Sequence, residues 1–133
     1  PSYHDPSKGK ERGDNLILLI DADGLTVAHM GDLGHTLDKD LLKQMGKVDV
    51  LLLPVGGFYT LDAKEATKVM KDINPPITIP MHYKTDKLNF PIATLDDFTS
   101  GKKHVKTIKS TEIDVTRETL PQEPEILVLS YAL

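Results

Sequence analysis

The 133-residue sequence contains no cysteine. That excludes a disulfide framework and a thiolate metal site, so any metal must be held by His, Asp or Glu. It is also compatible with a reducing cytoplasm, which is the expected location. No apolar run approaches the roughly twenty residues of a membrane helix, and no signal-peptide pattern is visible, so no membrane association is expected. Positive charge is in short supply: Lys and Arg total 16 against 20 Asp and Glu, a formal charge of −4. This argues against nucleic acid as a partner. Internal repeats, low-complexity tracts and internal boundaries are also missing, so residues 1–133 read as a single domain with a real core.

Regular elements follow the apolar runs. Residues 1–14 are polar and rich in Gly, Pro and charge, and read as a loop. "NLILLID" at 15–21 and "LTVAHM" at 25–30 flank Asp23-Gly24, a strong hairpin signal. Leu37, Leu41, Leu42 and Met45 share a helix face that Gly46 ends. "VDVLLLPV" at 48–55, "LDAKEATKVMKDI" at 61–73 and "ITIPM" at 77–81 read as strand, helix, strand, with Asn74-Pro75-Pro76 stopping the helix. Such a unit gives two parallel strands joined by a right-handed crossover. A short helix is expected at 94–101, capped by Thr94 with Asp97. Strands are expected at 104–110, 111–116 and 125–133.

Polar residues cluster just past the strand ends. Asp32 and His35 follow the strand at 25–30, Gly56 and Gly57 follow that at 48–55, and His82 follows that at 77–81. If these strands share a sheet, the three segments converge at one rim, where layered α/β proteins place their sites. His and Asp suit a borderline divalent metal such as zinc. The competing view of any single histidine is a strand cap bonded to nearby backbone. Tyr59 and Tyr83 are candidates for substrate contact or for the core wall, and Lys10 or Arg12 for attracting an anionic substrate. His29 reads as a packed, hydrogen-bonded histidine and His104 as solvated.

Taken together, "SYHD" (2–5), "GKERGDN" (9–15), "HMGDLGH" (29–35), "VDVLLLPVGGFYTLDAKEA" (48–66) and "IPMHYKT" (79–85) resemble the small metal-dependent hydrolases of the metallo-β-lactamase superfamily. "EPEILVLSYAL" at 123–133 is similar to the family's closing strand. The resemblance implies an αββα sandwich of the α/β (α+β) class, with a mixed sheet, helices on one face and a dinuclear site at one edge. It implies His4, Asp32 and His82 as metal ligands, with Asp32 bridging two ions and orienting the attacking hydroxide. His35 falls where the family has a polar residue that supports the ligands or touches substrate, so Asp32 and His35 are the catalytic candidates. The implied cofactor is zinc, two ions in a complete site, with Mn or Fe as alternatives. The implied reaction is attack of a metal-activated hydroxide on a small-molecule ester, lactone, amide or phosphodiester.

The family's HxHxDH segment is absent. The chain therefore reads as the C-terminal half of such a fold, and His4 as a ligand calls for something before Pro1. The expected partner is a missing N-terminal half or a second copy covering the exposed sheet face. Alone, the chain is expected to bind zinc weakly and to be inactive. The alternatives are a non-catalytic structural or oligomerisation half with a degenerate site, and a haloacid-dehalogenase-type phosphatase using Asp21 as nucleophile and Asp23 as acid/base.

Overall fold

A computed structural model describes residues 1–132. In chain order the elements are β1 (Ser2–Tyr3), β2 (Asp14–Asn15), β3 (Leu18–Ala22), β4 (Leu25–His29), α1 (Lys39–Met45), β5 (Val50–Pro54), α2 (Ala63–Ile73), β6 (Ile77–Met81), α3 (Leu95–Thr99), β7 (Val105–Ile108) and β8 (Glu125–Leu129). β1 and β2 pair antiparallel as a small ribbon. The other six strands form one mixed sheet in the order β3-β4-β5-β6-β8-β7. Only β3 and β4 run antiparallel; the remaining neighbours are parallel. β5-α2-β6 is the expected crossover, and the class is the expected mixed α/β.

Side-chain alternation divides the core into two layers. Ala28, Met30, Leu51, Leu53, Val55, Ile126 and Val128 face the helices and pack against Met45, Leu61, Ala66, Val69 and Phe98. Val50, Ile77, Ile79 and Leu127 face the other way. Among the described residues that second face carries no α-helix; Ile113, Val115 and Leu120, the last two flanking a short 3-10 turn at Arg117–Thr119, lie across part of it. Helices therefore occupy one face of the sheet, as the resemblance implied.

Helix ends follow local chemistry. The Asp38 carboxylate accepts the Leu41 N–H (2.8 Å) to start α1. Asp62 and Glu65 form a reciprocal capping box on α2, at 2.8 and 3.1 Å. Asn74 ends α2 in the left-handed region (φ 52°). Asp97 accepts from both the backbone and the hydroxyl of Thr94. At the β3–β4 tip, Asp23 and Gly24 both have positive φ (48° and 76°), the requirement of a tight hairpin turn.

Several expectations change: the run at 15–21 is divided between β2 and β3, and the helix expected at 94–101 is confined to Leu95–Thr99. Residues 1–14 are not all loop, because Ser2–Tyr3 and Asp14 take part in the ribbon. Residues 111–116 form no strand, although Ile113 and Val115 still turn inward between exposed neighbours. The closing strand stops at Leu129, and of its expected residues Leu133 lies outside those described. The strand expected at 104–110 is confined to Val105–Ile108.

Candidate functional site

Strands β4, β5 and β6 run parallel, so their carboxyl ends and the loops that follow meet at one edge. Backbone bonds stitch those loops together. The Gly34 N–H donates to Tyr3 O (3.0 Å), Leu61 N–H to Leu33 O (2.9 Å), and Val55 N–H to Met81 O (3.1 Å). His4, the loop of Asp32, the Gly56-Gly57 loop and His82 thus lie on segments bonded in series.

Two glycines make this approach possible. A Cβ on Gly34 would overlap the carbonyl oxygen of His4, and one on Gly56 would overlap that of His82. Neither position admits a side chain. His82 is itself left-handed (φ 51°), a conformation uncommon outside glycine and found at constrained sites.

Each candidate residue has a distinct environment. His4 Nε2 and His82 Nδ1 are buried ring nitrogens with no hydrogen-bond partner among the described residues. Buried polar atoms are nearly always paired, so two orphans along one series of bonded segments are a chemical signal. The Asp32 side chain is exposed and makes no hydrogen bond or ion pair among the described residues, while its N–H donates to Asn15 Oδ1 (2.9 Å). His35 spends both nitrogens on backbone: Nε2 accepts the Tyr3 N–H (3.0 Å), so Nδ1 carries the proton and faces Thr36 O (2.8 Å). It staples β1 to the loop of Asp32. His29 Nδ1 accepts the Gly31 N–H (3.0 Å), a hydrogen-bonded histidine as expected. His104 is exposed and pairs with Glu123 (3.0 Å).

Two positioning residues escaped the sequence reading. Asp5 is fully buried, and its carboxylate accepts the N–H groups of Ser7, Gly9, Glu11 and Arg12 at 2.8–3.1 Å. Burial works against its charge, but these four donors overcome that and hold its pKa below the usual value. The carboxylate folds residues 5–13 into a compact loop directly after His4. Asn15 bridges the other side: its Nδ2 donates to Met30 O (2.9 Å) while its Oδ1 holds the Asp32 N–H. Both residues look like ordinary loop composition in sequence; only the fold reveals what they grip.

Cavities flank the rim. One of about 310 Å³ is lined by His82, Tyr83 and Tyr131, and one of about 400 Å³ by Tyr3, Asp5 and His35. Burial pushes the Tyr83 phenol up from its ordinary pKa. A larger cavity, about 620 Å³, lies at the opposite end of the strands and holds none of the candidate residues.

The donors present suit a borderline divalent ion: two unpartnered imidazole nitrogens and one free carboxylate. Among the described residues, however, no three His, Asp or Glu side chains gather closely enough to hold a metal ion. The chemistry of these donors fits such an ion.

A family model described as a beta-lactamase superfamily domain matches residues 1–82. The chain belongs to the metallo-β-lactamase superfamily. It is 38% identical over 89 residues to a metal-dependent hydrolase of Carboxydothermus hydrogenoformans, covering 64% of this chain and 39% of that protein. It is 33% identical over 124 residues to one of Archaeoglobus fulgidus, covering 86% of this chain and 49% of that protein. A crystal structure of a candidate Zn-dependent hydrolase of the superfamily from Thermotoga maritima is 32% identical, with a TM-score of 0.77 over 87% of this chain and 63% of that one. The chain thus spans between two-fifths and half the length of these two curated relatives. Membership sets aside the phosphatase alternative. Asp23 sits at a hairpin tip, and Asp21 accepts a bond from Thr26 across that hairpin (2.7 Å).

Proposed function

We propose that this chain supplies part of the site of a metal-dependent hydrolase acting on a small-molecule ester, lactone, amide or phosphodiester. The observation that carries this reading is the pair of buried, unpartnered ring nitrogens, His4 Nε2 and His82 Nδ1, the first on a segment bonded to the Asp32 loop and the second on one bonded to the end of β5. His4, Asp32 and His82 would hold the metal: zinc first, two ions in a complete site, Mn or Fe as alternatives. When bound, the metal supplies a Lewis acid and makes hydroxide available near neutral pH. Asp32 would orient the attacking water through its free carboxylate. His35 would act by position alone, since Tyr3 and Thr36 occupy both its nitrogens. The relatives are named metal-dependent hydrolases, which supports the reading.

The incomplete donor set favours a site finished by a partner, either an N-terminal half or a second copy. Edge strand β3 supports this, because Leu18, Leu19 and Ile20 are 45%, 42% and 49% exposed. An unguarded apolar edge is a template for another chain. The same edge favours a second reading, a non-catalytic half whose work is assembly. A cytoplasmic location completes the proposal; no described helix is long and apolar enough to cross a membrane.

Elemental analysis of the purified, dialysed chain tests the partial site. We expect no tightly retained metal. One or two retained zinc ions per chain would overturn the partial-site reading. Adding a segment that carries HxHxDH should then create hydrolysis that a chelator abolishes. Turnover by this chain alone, lost on chelation, would refute the proposal. Failure of the completed protein to hydrolyse any of the four bond classes would favour the assembly reading.

A further inference from the structure

Beside the rim, three loops bring four large side chains together. Arg12 comes from the loop that follows His4, Phe58 and Tyr59 from the loop after β5, and Phe90 from the loop after His82. The Phe58 and Tyr59 rings meet edge to face, with centroids 4.4 Å apart at 84°. Tyr59 and Phe90 meet at 6.5 Å and 82°. The Arg12 guanidinium lies 5.9 Å from the Tyr59 centroid.

This collar does nothing for the core. Phe58 and Phe90 are 59% and 55% exposed and belong to neither apolar cluster. Leaving two large rings in water forgoes the stabilisation that burial would give. Phe58 is also left-handed (φ 63°), a genuine outlier for a bulky residue. Such strain persists only where the surroundings impose it, and it collects at ligand-binding positions. Here the imposition is visible: the Gly57 N–H donates to Leu61 O (2.9 Å) and the Tyr59 N–H to Gly57 O (2.7 Å). The neighbouring loops are equally fixed. Asp5 grips the Arg12 N–H (2.8 Å), and the Ala93 N–H donates to Gly56 O (2.7 Å). Among the described residues the Arg12 guanidinium takes part in none of the ion pairs.

We propose that this collar is the substrate-recognition surface of the same site, taking a planar aryl group whose anionic substituent is read by Arg12. The inference rests on the hydrolase reading for the word substrate, and on this geometry for the rest. Rings set edge to face leave faces and edges on which a further planar ring completes the array. A guanidinium lying over the Tyr59 ring at 5.9 Å keeps its fork of donors for a carboxylate or phosphate. A saturated, branched body would find none of this geometry.

The test is binding of 1-naphthoate to the protein in the presence of EDTA, followed by backbone amide NMR shifts, so that metal occupancy plays no part. Acetate supplies the anion without the ring, and 1-naphthamide the ring without the anion. We expect saturable shifts confined to residues near 12, 57–60 and 90, with both controls about ten-fold weaker or worse. Arg12→Gln should bring naphthoate down to the level of naphthamide. Phe58→Gly removes the ring and the strain together. Affinity should fall about ten-fold or more while the melting temperature holds or rises. A ring that merely served the fold would instead lower the melting temperature. Unsaturable or scattered shifts, or an affinity that Phe58→Gly leaves unchanged, would overturn the proposal. Absent naphthoate binding removes the collar and leaves the hydrolase reading to the metal analysis. Tight zinc retention overturns the partial site without touching the naphthoate result.

Discussion

The carbonyl oxygen of His82 occupies the space that a side chain at Gly56 would need. The backbone after β5 can therefore press against the backbone after β6 only if residue 56 is glycine. Gly34 and His4 repeat the relationship at the other end of the rim. Both candidate histidine ligands are thus placed by the lack of a Cβ opposite them.

The first prediction follows directly. Gly56→Ala and Gly34→Ala should each cost about 3 kcal/mol, the upper end of the range for overpacking, because the obstructing atom is backbone and cannot rotate away. Gly101 is the control. A Cβ there meets nothing within 4 Å, and only its positive φ (74°) opposes the change. Gly101→Ala should cost about 1–2 kcal/mol. Chemical denaturation of the three variants checks the order; equal costs would show that the packed carbonyls do not matter.

A second prediction separates ligand from scaffold at His82. Asparagine tolerates the left-handed region better than most residues. His82→Asn should therefore change metal-free stability by less than about 0.5 kcal/mol, since His82 Nδ1 has no partner to lose. Zinc binding by the partner-completed protein, read by calorimetry, should weaken by about ten-fold or more. A large loss of metal-free stability would mean that His82 is structural.

The three central strands were legible because they are long apolar runs ended by Gly, Pro or a polar loop. The misreading at 111–116 is instructive. Ile113 and Val115 do alternate inward, so period-2 patterning reported burial correctly. It could not report the absence of a hydrogen-bonding neighbour. At the site, Asp32 and His82 stood out because they follow strand ends, and His4 because its segment resembles that of a family. Asp5 and Asn15 did not, since their partners are amides and carbonyls, which leave no trace in side-chain sequence. Arg117 and Asp49 meet across 68 residues at 3.2 Å, a separation that no local pattern reveals.

Asp5 carries the third prediction. Its two carboxylate oxygens each accept two backbone N–H groups. Asp5→Asn turns one acceptor into a donor facing donors, so the 5–13 loop should loosen. Hydrogen exchange at Ser7, Gly9, Glu11 and Arg12 should accelerate together while exchange in β5 and β6 stays slow. Uniform acceleration throughout the sheet would show that the carboxylate supports the whole fold rather than the loop after His4.

The last prediction concerns acid stability. Asp49 is buried, its Oδ2 accepting the Thr26 N–H (2.9 Å) and facing Arg117 (3.2 Å), with Lys47 at 3.6 Å from Oδ1. Burial alone would raise its pKa; the Thr26 amide and the two cations outweigh that and lower it from 3.8. A carboxylate whose folded pKa lies below its unfolded value stabilises the fold above that unfolded value. The contribution is lost as pH falls through the folded one. The loss should therefore appear below about pH 4 and not between 5 and 8. Asp49→Asn should cost about 2 kcal/mol at pH 7, because it leaves Thr26 and Arg117 without their charged acceptor. Its acid limb should be flatter than the parent's. Arg117→Gln should cost less than about 1 kcal/mol, since the guanidinium is half exposed and screened. Thermal melts from pH 2 to 8 on the parent and both variants decide it. Parallel acid limbs for parent and Asp49→Asn would show that some other carboxylate governs the loss.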